Sequence, residues 1–413
     1  MHNILSEDIV FLSAARTPVG RFDGALAGFD AIQLGALAVG AAVARADVPP
    51  EAVDTVNLGN VVPGGLGEAP AKAAAIQAGL SHAVHARTVE TVCGSAMDAI
   101  VLAAESLLAG TAEVVVAGGM ESRSNAPYLL GPRFRRTGGE YRRGERLRVK
   151  RGGAYRFVLT ENPEEQLRAT DIVDPTTYDG LFWPAEKKFM RQYALDFAAR
   201  RGYTAELVNR YAAESHRKAA EATAQGLFED EIVAAGDVSA DELVPEELLQ
   251  RELRENPDDL ASAYNSSTPA DAAAALVLTT ARRARAEGWR PAAKLLGYAR
   301  VDGLPCDFLA APVKAAQELL SALEAAGCSD GFSIAEANEA FALQLPLYEE
   351  ALPGMDINLH GGAVALGHPL GAAGARIVTT LLYAMPRYRR RRGLAAICYG
   401  GGGGYALAVE SVG

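Results

Sequence analysis

The chain has 413 residues, of which 49% are hydrophobic and 22% charged, and its formal net charge is −11. This length exceeds one ordinary core and predicts two or three domain-sized units. No run approaches the ~20 apolar residues of a membrane span, and the N-terminus lacks the basic and apolar regions of a signal peptide. The acidic balance argues against nucleic acid as the main partner. We therefore predict a cytoplasmic globular protein with neither nucleic-acid nor membrane partners.

The cysteines limit the thiol and metal chemistry that is open to the chain. Four cysteines in so long a chain do not form a disulfide framework, and there is no CxxC or histidine-rich spacing of a zinc site. They are Cys93, Cys306, Cys328 and Cys398. We expect free thiols in a reducing compartment and no bound metal.

The N-terminal third of the chain alternates strands with helices. Apolar spacing and β-branched runs predict strands at 9–12, 55–59 and 113–117, an extended run at 88–92, and helices at 32–44 and 95–108. The strand at 113–117 is expected to end at Gly118-Gly119. This alternation is typical of α/β layering.

The composition changes from about residue 122 to residue 260. Arginine, tyrosine and glutamate increase there, and the alternation fades until a polar helix predicted at 205–224. We interpret 122–260 as an inserted domain. An apolar, core-like run at 271–280 follows it.

The C-terminal part repeats the order of the first. A glycine-rich turn at 361–371 precedes a helix predicted at 373–385 and a strand at 394–398 that again ends in glycines. Residue identity between the copies is slight, so the duplication rests on the pattern alone. The predicted domains are an N-terminal half (1–121 with 261–285), an inserted loop domain (122–260) and a C-terminal half (286–413).

Cys93 lies where a predicted strand turns into a helix. Backbone N–H groups and the helix dipole favour the thiolate at such a position, and the thiolate is the reactive form. Gly94 and Ser95 would let a ligand approach the backbone closely. Taken alone, Cys93 fits a reactive nucleophile and a small buried apolar cysteine equally well.

His368 lies between Gly367 and Pro369 in the glycine-rich turn. A histidine that is held in this way suits the base that deprotonates a nearby thiol. A purely structural histidine is the alternative.

Cys398 ends a predicted apolar strand and is followed by Tyr399 and five glycines, Gly400 to Gly404. Such a run costs backbone entropy. We interpret it as a backbone that lies against a ligand, with N–H groups able to stabilise an oxyanion. A flexible turn is the alternative.

A further block, Asn338 to Ala342, follows a strand predicted at 331–334. It is expected to open a helix, where an asparagine usually acts as a cap. Taken alone, Asn338 says little about function.

Together these residues resemble the thiolase family. The segments 13–18, 117–122 and 125–128 are similar to N-terminal signatures of that family. The Asn-Glu-Ala-Phe-Ala, Gly-His-Pro and Cys-x-Gly-Gly-Gly blocks follow in the family's order. The resemblance covers the whole chain and is weaker from about 130 to 270. A ketosynthase-like or hydroxymethylglutaryl synthase-like enzyme would not explain Cys398 with its glycines.

The resemblance implies a fold and its partners. Two similar βαβαβαββ halves would form a five-layered α/β/α/β/α core, with a loop domain inserted in the first half. Coenzyme A would bind between the loop domain and the core, and its thioesters would be substrates, with no separate cofactor. A homo-oligomer, dimer or tetramer, is also implied. An acyl carrier protein is kept as an alternative acyl donor.

The resemblance also implies a role for each residue of the site. Cys93 would be the acylated nucleophile and His368 the base that activates it. Cys398 would remove the α-proton of a second acyl-CoA, or protonate the leaving carbanion in cleavage. Asn338, through a water, and His368 would form one oxyanion hole. The backbone N–H groups of Cys93 and Gly400 would form the other.

The residues expected around coenzyme A depart from the family pattern. Met190 keeps the methionine of one family block, and Ser267 fits the serine near the pantetheine; His216 is the third expected contact. No counterpart is found at 234–261 for the basic residue that the family places near the nucleotide. Other family positions are changed as well, at Ala96, Tyr264, Thr268, Ala272 and His360. We therefore expect intact chemistry and altered acyl and coenzyme A pockets.

Residues 133–156 contain nine arginines and only two acidic residues. A solvated surface loop is the simplest interpretation of this segment. A phosphate site for coenzyme A and a dock for an acidic carrier protein are the alternatives. The arginine run at 387–392 is expected to be a solvated helix end.

These observations predict an acyltransferase that condenses two acyl-CoA molecules to a 3-ketoacyl-CoA, or cleaves one by thiolysis, through an acyl-cysteine. Two alternatives stay open. One is a condensing enzyme with an unusual acyl-CoA or a carrier-bound donor, which the altered pockets favour. The other is a thiolase-fold binding or assembly protein with weak catalysis, against which the complete set of Cys93, His368, Asn338 and Cys398 argues.

Overall fold

The computed structural model describes residues 2–130, 148–149, 155–156, 172–328 and 330–412. The strands are β1 (His2–Arg16), β2 (Gly20–Arg21), β3 (Thr55–Gly59), β4 (His85–Val89), β5 (Val114–Glu121), β6 (Leu129–Leu130), β7 (Arg148–Val149), β8 (Tyr155–Arg156), β9 (Ile172–Val173), β10 (Phe182–Trp183), β11 (Lys188–Phe189), β12 (Ala270–Thr280), β13 (Ala293–Val301), β14 (Phe332–Ala337), β15 (Asp356–Ile357), β16 (Arg392–Tyr399) and β17 (Gly403–Ser411). The helices are α1 (Ala31–Arg45), α2 (Pro70–Gln77), α3 (Ser95–Leu108), α4 (Pro175–Leu181), α5 (Met190–Arg201), α6 (Ala205–Ala224), α7 (Glu246–Glu255), α8 (Ala281–Glu287), α9 (Ala311–Ala325), α10 (Leu345–Ala351), α11 (Ala363–Leu366) and α12 (Ala373–Arg387).

The long strands form one sheet in which two similar halves meet at β1. The order is β15-β14-β16-β17-β13-β1-β12-β5-β3-β4, and β1 is antiparallel to both β12 and β13. In the first half β3 runs parallel to β4 and β5, and β12 is antiparallel to β5. In the second half β14 runs parallel to β15 and β16, and β17 is antiparallel to β16. The repeated pairing confirms the predicted duplication.

Apolar faces divide the molecule into five layers. Helices α3 and α12 pack together between the two halves of the sheet, where Met97, Ile100 and Ile377 are fully buried. Helices α1 and α2 cover the outer face of the first half. Helix α9, flanked by α10, covers that of the second. Strands with apolar residues on both faces require this cover, and the predicted α/β/α/β/α core is confirmed.

Strand β5 is longer than predicted, because Gly118 and Gly119 lie inside it and not at its end. A Cβ atom at Gly118 would be 2.1 Å from the carbonyl oxygen of Ala274 on β12, and one at Gly119 would be 1.9 Å from that of Gly371. Close backbone approach, and not a turn, therefore requires these glycines. Gly371 belongs to the turn that carries His368, so β5 and that turn pack backbone to backbone.

The described part of the insert is mainly helical. Helix α6 has the predicted bounds and is capped by the Thr204 hydroxyl. The loop that follows α6 is fastened to β1 by Arg16, whose buried guanidinium forms 2.6 Å ion pairs with Glu231 and Asp241. No helix in the described ranges is both long and apolar enough to cross a bilayer. The domain boundaries given above stay a prediction.

Of the two arginine-rich segments, the structure describes 387–392 in full and 133–156 only in small part. Apart from the backbone of β7 and β8, the segment 133–156 lies outside the described residues. For the second run, 387–392, the prediction of a solvated helix end is wrong at the last residue. Arg392 is the first residue of β16 and is only 9% exposed. Its guanidinium donates to the carbonyls of Cys328 and Asp330 and to the Glu410 carboxylate. Arg392 therefore ties the sheet to the loop before β14.

Candidate active site

Cys93 lies in a tight turn between β4 and α3. Val92, immediately before it, has a φ of +54°, a left-handed conformation that is strained for a β-branched residue. The Ser95 hydroxyl fixes the turn: it donates to the carbonyl of Val92 at 2.6 Å and accepts from the N–H of Thr91 at 2.9 Å. The strand-to-helix position predicted for Cys93 is confirmed.

His368 reaches Cys93 from the second half of the molecule. Gly367 precedes it with a φ of +98°, and a Cβ atom there would be 2.8 Å from that of Ala270, so the turn requires glycine. The N–H of His368 donates to the carbonyl of Thr268 at 2.8 Å. His368 Nε2 lies 3.1 Å from Cys93 Sγ, although 275 positions separate the two residues in the chain.

The imidazole of His368 is in the form that a base requires. Burial, together with the positive charges of Arg123 and Arg376, lowers the pKa of His368 to about 3. The ring is therefore neutral at physiological pH. Nδ1 has no partner among the described residues. If Nδ1 carries the ring hydrogen, Nε2 is free to accept the Cys93 proton.

Cys398, next to last in β16, brings a second thiol to the same point and is hydrogen-bonded to Cys93. That hydrogen bond and burial raise the pKa of the Cys93 thiol, whereas the same hydrogen bond lowers the pKa of Cys398. Cys93 therefore rests protonated and needs a base before it can attack. All four cysteines of the chain are free.

Asn338 follows β14 directly and does not open a helix, contrary to the prediction. The next regular elements are a 3₁₀ turn at Ala342–Gln344 and α10. The N–H of Asn338 donates to the carbonyl of Ala396 on β16 at 2.9 Å. Its side chain is fully buried, and neither amide atom has a partner in the described part of the chain. Such an amide has unused capacity to bind a water or an oxyanion.

The glycine run after β16 lies at the cavity and also packs closely against neighbouring loops, which was not predicted. Gly400 and Gly401 line the cavity of the site. A Cβ atom at Gly400 would also be 2.5 Å from the Val92 side chain, and one at Gly402 would be 2.5 Å from the backbone of Leu304. Packing between loops explains the end of the run, so a ligand is not needed to account for every glycine.

The site opens into a cavity of about 970 Å³ that the insert and the core line together. Cys93, His368, Cys398 and Gly400 line it. Within the described residues, no cluster of His, Cys, Asp or Glu could hold a metal ion.

Of the expected coenzyme A contacts, Met190 and Ser267 line the cavity, and Ser267 donates to the carbonyl of Ala340 at 3.0 Å. His216 is not among the lining residues. Its Nε2 lies 3.0 Å from the carbonyl oxygen of Tyr264, and burial lowers the pKa of His216. The roles of Met190, Ser267 and His216 stay predictions.

Two family models match almost the entire chain: the thiolase N-terminal domain over residues 9–282 and the thiolase C-terminal domain over residues 289–411. The chain belongs to the thiolase family. It is 37% identical over 420 residues to an acetyl-CoA acetyltransferase of Cupriavidus necator and 38% identical over 421 residues to one of Escherichia coli K12. Each alignment covers 98% of this chain and 99% of the relative.

Solved structures agree with these sequence relatives. The fold is similar to that of a thiolase from Ascaris suum in complex with coenzyme A, with a TM-score of 0.82, 33% identity, and coverage of 98% of this chain and 100% of that one. It is also similar to an acetyl-CoA acetyltransferase from Bacillus anthracis, with a TM-score of 0.83, 30% identity, and coverage of 98% and 99%.

Two buried glutamates to which the sequence analysis gave no role hold the loops of this thiolase site. Glu121, which ends β5, accepts the N–H of Gly371 at 2.8 Å and those of two residues after β3 at 3.0 and 3.1 Å. Glu339 accepts from the Ser215 hydroxyl at 2.7 Å and from the N–H of Val364 at 3.1 Å. A glutamate at the end of an apolar strand, or two residues after it, inside a family block is the signal that could have indicated both.

Proposed function

We propose that this thiolase transfers acyl groups between coenzyme A thioesters through an acyl-cysteine. Two acetyl-CoA molecules would condense to acetoacetyl-CoA and coenzyme A, or a 3-ketoacyl-CoA would be cleaved by coenzyme A. The observation that carries this function is the contact of two thiols and one neutral imidazole at the cavity, with His368 Nε2 3.1 Å from Cys93 Sγ. The acetyl-CoA acetyltransferases among the relatives support the choice of acyl group.

In the first half-reaction Cys93 attacks the thioester carbonyl carbon of acetyl-CoA. His368 takes the thiol proton as the new C–S bond forms, since its Nε2 is within hydrogen-bond distance and unprotonated. The bond to the coenzyme A sulfur breaks, and the leaving thiolate receives that proton from the imidazolium. The product is an acetyl group on Cys93 and a neutral His368.

In the second half-reaction Cys398 removes the α-proton of another acetyl-CoA. The carbanion attacks the acetyl carbonyl on Cys93, so that a C–C bond forms and the C–S bond to Cys93 breaks. The proton on Cys398 then returns to the Cys93 sulfur. The hydrogen bond between the two thiols supports this exchange, and cleavage of a 3-ketoacyl-CoA follows the same steps in reverse.

Two oxyanion holes would stabilise the charge that develops in these steps. Asn338, through a water, and His368 would form one, which the unpartnered buried amide of Asn338 supports. The backbone N–H groups of Cys93 and Gly400 would form the other, which the position of both residues at the cavity supports. Preorganised donors of this kind are usually the largest electrostatic contribution to catalysis.

Coenzyme A would enter through the cavity between insert and core, past Met190 and Ser267, with His216 behind them. Its thioesters are the substrates, and we propose no further cofactor. The relative from Ascaris suum, solved in complex with coenzyme A, supports this. The proposed enzyme is a cytoplasmic homo-oligomer, a dimer or a tetramer.

Labelling with radioactive acetyl-CoA tests the nucleophile. Cys93 should carry the label after peptide mapping, because it alone of the cysteines lies in the turn before a helix and beside a neutral imidazole. Cys93→Ser should lose label and turnover together. Label on Cys306, Cys328 or Cys398 with Cys93 unmodified would contradict the assignment.

The Cys398→Ser variant separates the two half-reactions. It should still acylate Cys93, but it should release no acetoacetyl-CoA, because a hydroxyl is a far weaker base than a thiolate. Full condensation by this variant would exclude the proposed role of Cys398.

A carrier-bound acyl donor is the second candidate. The basic segment 133–156 is the sequence feature that favours it. The Cys93 acylation assay distinguishes the two donors, because acetyl-CoA and acetyl-carrier protein can be compared at equal concentration. If acetyl-carrier protein acylates Cys93 faster than acetyl-CoA does, the carrier-bound thioester is the donor and the coenzyme A thioester is not.

A further inference from the structure

Arg123 is a buried cation in the wall of the reaction cavity. It follows β5 by two residues, it is only 4% exposed, and it lines the same cavity as Cys93 and His368. The mechanism described above gives it no role.

Within the described residues no carboxylate forms a direct ion pair with Arg123, although Glu121, Asp174 and Asp271 act on its charge through space. Nη2 donates to the carbonyl of Thr176 at 2.7 Å, and Nε has no partner among the described residues. The surrounding carboxylates bind other groups: Glu121 accepts backbone N–H groups, Asp174 caps α4, and Asp271 accepts from the residue after Arg123. Burial lowers the pKa of Arg123. A buried cation in this position is costly unless a ligand supplies the anion.

The other residues that line the cavity favour an interaction between Arg123 and a bound anion. Phe182 and Trp183 of the insert contribute apolar surface, which strengthens electrostatic interactions nearby. Glu90 and Asp179 also line the cavity, but both are exposed, so solvent and salt screen their charges. An anion inside the cavity would therefore find Arg123 as its nearest buried counter-charge.

We propose, on the basis of the function proposed above, that this thiolase also takes acyl groups that end in a carboxylate and that Arg123 binds that carboxylate. These substrates would be 3-oxo-dicarboxylic acids linked to coenzyme A at one end. A guanidinium matches a carboxylate through two parallel N–H···O bonds. An uncharged acyl end would leave Arg123 buried without an anion.

The reaction balances as in the proposed thiolysis. The C2–C3 bond of the 3-oxo thioester breaks, the dicarboxylic acyl group forms a thioester with Cys93, and C2 takes a proton and leaves as acetyl-CoA. The thiol of coenzyme A then takes the acyl group, and its proton returns to Cys93. The distal carboxylate stays with Arg123 in both steps and is not changed.

A different role for Arg123 would be to stabilise the Cys93 thiolate. Its charge does favour that thiolate, but the pKa of Cys93 is raised all the same, by the hydrogen bond to Cys398 and by burial. The two roles predict different outcomes. Loss of thiolate stabilisation would slow every substrate alike, whereas loss of a carboxylate site would slow only substrates that carry one.

The test compares two six-carbon substrates that differ at the distal end, 3-oxoadipyl-CoA with a carboxylate and 3-oxohexanoyl-CoA with a methyl group. The wild-type enzyme should prefer 3-oxoadipyl-CoA in kcat/KM. Arg123→Met should lower that preference about 10- to 100-fold, the range of one charge-assisted hydrogen-bonded contact. The value for 3-oxohexanoyl-CoA should stay unchanged or rise.

A matched control is Arg191→Met. Arg191 also lines the cavity, but it is exposed and already paired with Asp259 at 2.6 Å. The preference should therefore survive this substitution. Arg123→Met also loses the hydrogen bond to the Thr176 carbonyl, so a thermal melt of this variant measures any folding defect separately from the substrate preference.

Binding to the Cys93→Ser variant keeps the test independent of turnover. Calorimetry should show tighter binding of 3-oxoadipyl-CoA than of 3-oxohexanoyl-CoA, and Arg123→Met in the same background should remove the difference. Equal binding of the two thioesters, or a preference that survives Arg123→Met, would overturn the role of Arg123. Failure of both acetyl-CoA and 3-oxoadipyl-CoA to acylate Cys93 in the otherwise unchanged enzyme would instead overturn the proposed function.

Discussion

The side-chain amide of Asn338 makes no hydrogen bond in the described part of the chain that would explain its burial by stability alone. It is fully buried, yet neither of its polar atoms is bonded within the described residues. A buried amide normally contributes to stability only when it is hydrogen-bonded. Asn338 should therefore matter little to folding and much to the charge that develops near His368.

Asn338→Ala should lower kcat about 100- to 1000-fold, as expected for the loss of one oxyanion-hole donor, and should change KM little. Its melting temperature should equal that of the wild type, because no protein hydrogen bond is lost. Steady-state kinetics and a thermal melt measure both. The isosteric Asn338→Asp should be at least as slow, since its charge repels an oxyanion. A kcat within a few fold of wild type in Asn338→Ala would remove this residue from the mechanism.

Individual residues could be predicted where a local motif fixes their geometry. Cys93 and His368 lie in turns that glycine, serine and proline spacing already indicates, and both were found. Arg123 could not be found in this way. Its environment is made by Thr176, which lies more than fifty residues further along the chain. A long-range contact of this kind leaves no local pattern.

Strand β5 links the first half of the molecule to the turn that carries His368. The backbone of Gly119 packs against the carbonyl oxygen of Gly371. The carboxylate of Glu121, two residues further along β5, accepts the N–H of Gly371. The strand therefore acts on the position of His368 through backbone contacts. Side-chain substitutions on β5 should reach the active site without touching substrate.

Gly119→Ala should destabilise the protein by about 1–3 kcal/mol or more and reduce activity, because its Cβ atom would be 1.9 Å from a carbonyl oxygen that cannot move freely. Gly40→Ala is the matched control. Gly40 lies in α1 with ordinary contacts of 3.6 Å or more, so alanine should stabilise it by about 0.5–1 kcal/mol. Urea unfolding measures both. Equal stability of the two variants would show that β5 is not packed as described.

Helices were predicted more closely than strands and loops. The helices at 95–108 and 205–224 have the observed bounds, because apolar periodicity marks both and the Thr204 cap marks the start of the second. The strand at 113–117 was predicted too short, because glycine was taken as a stop where it is required by a neighbouring backbone. The helix predicted to open at Asn338 begins later in the chain, after a 3₁₀ turn at Ala342–Gln344. Helix propensity alone does not show this delay.

At the scale of the whole molecule, two buried neutral histidines couple stability to pH. Burial and two nearby arginines lower the pKa of His360 to about 4, and that of His368 is lowered to about 3. Both pKa values are near 6.5 in the unfolded chain. The contribution of these histidines to the free energy of unfolding is fully present above about pH 6.5. It is lost as the pH falls from about 6.5 towards the folded-state pKa values, because in that range only the unfolded chain binds the protons.

His360→Asn should therefore resist acid better than the wild type. At pH 7 the two proteins should differ little from this cause. At pH 4.5 the variant should gain on the order of 2 kcal/mol relative to wild type, which urea unfolding at the two pH values measures. The exposed His82→Asn serves as a control that should show no such gain. An equal loss of stability in wild type and His360→Asn would refute the linkage.

The central position of β1 has a consequence for protein synthesis. Ile9 pairs with Thr280 on β12 and with Leu295 on β13, so β1 has no sheet partner until the last third of the chain is made. At about 5–20 residues per second that wait lasts roughly 15 to 50 seconds. During it, Ile9 and Phe11, which are fully buried in the finished protein, are open to contact with other chains. Nascent chains of this thiolase should therefore depend on chaperones more than a protein whose first strand pairs with its neighbour.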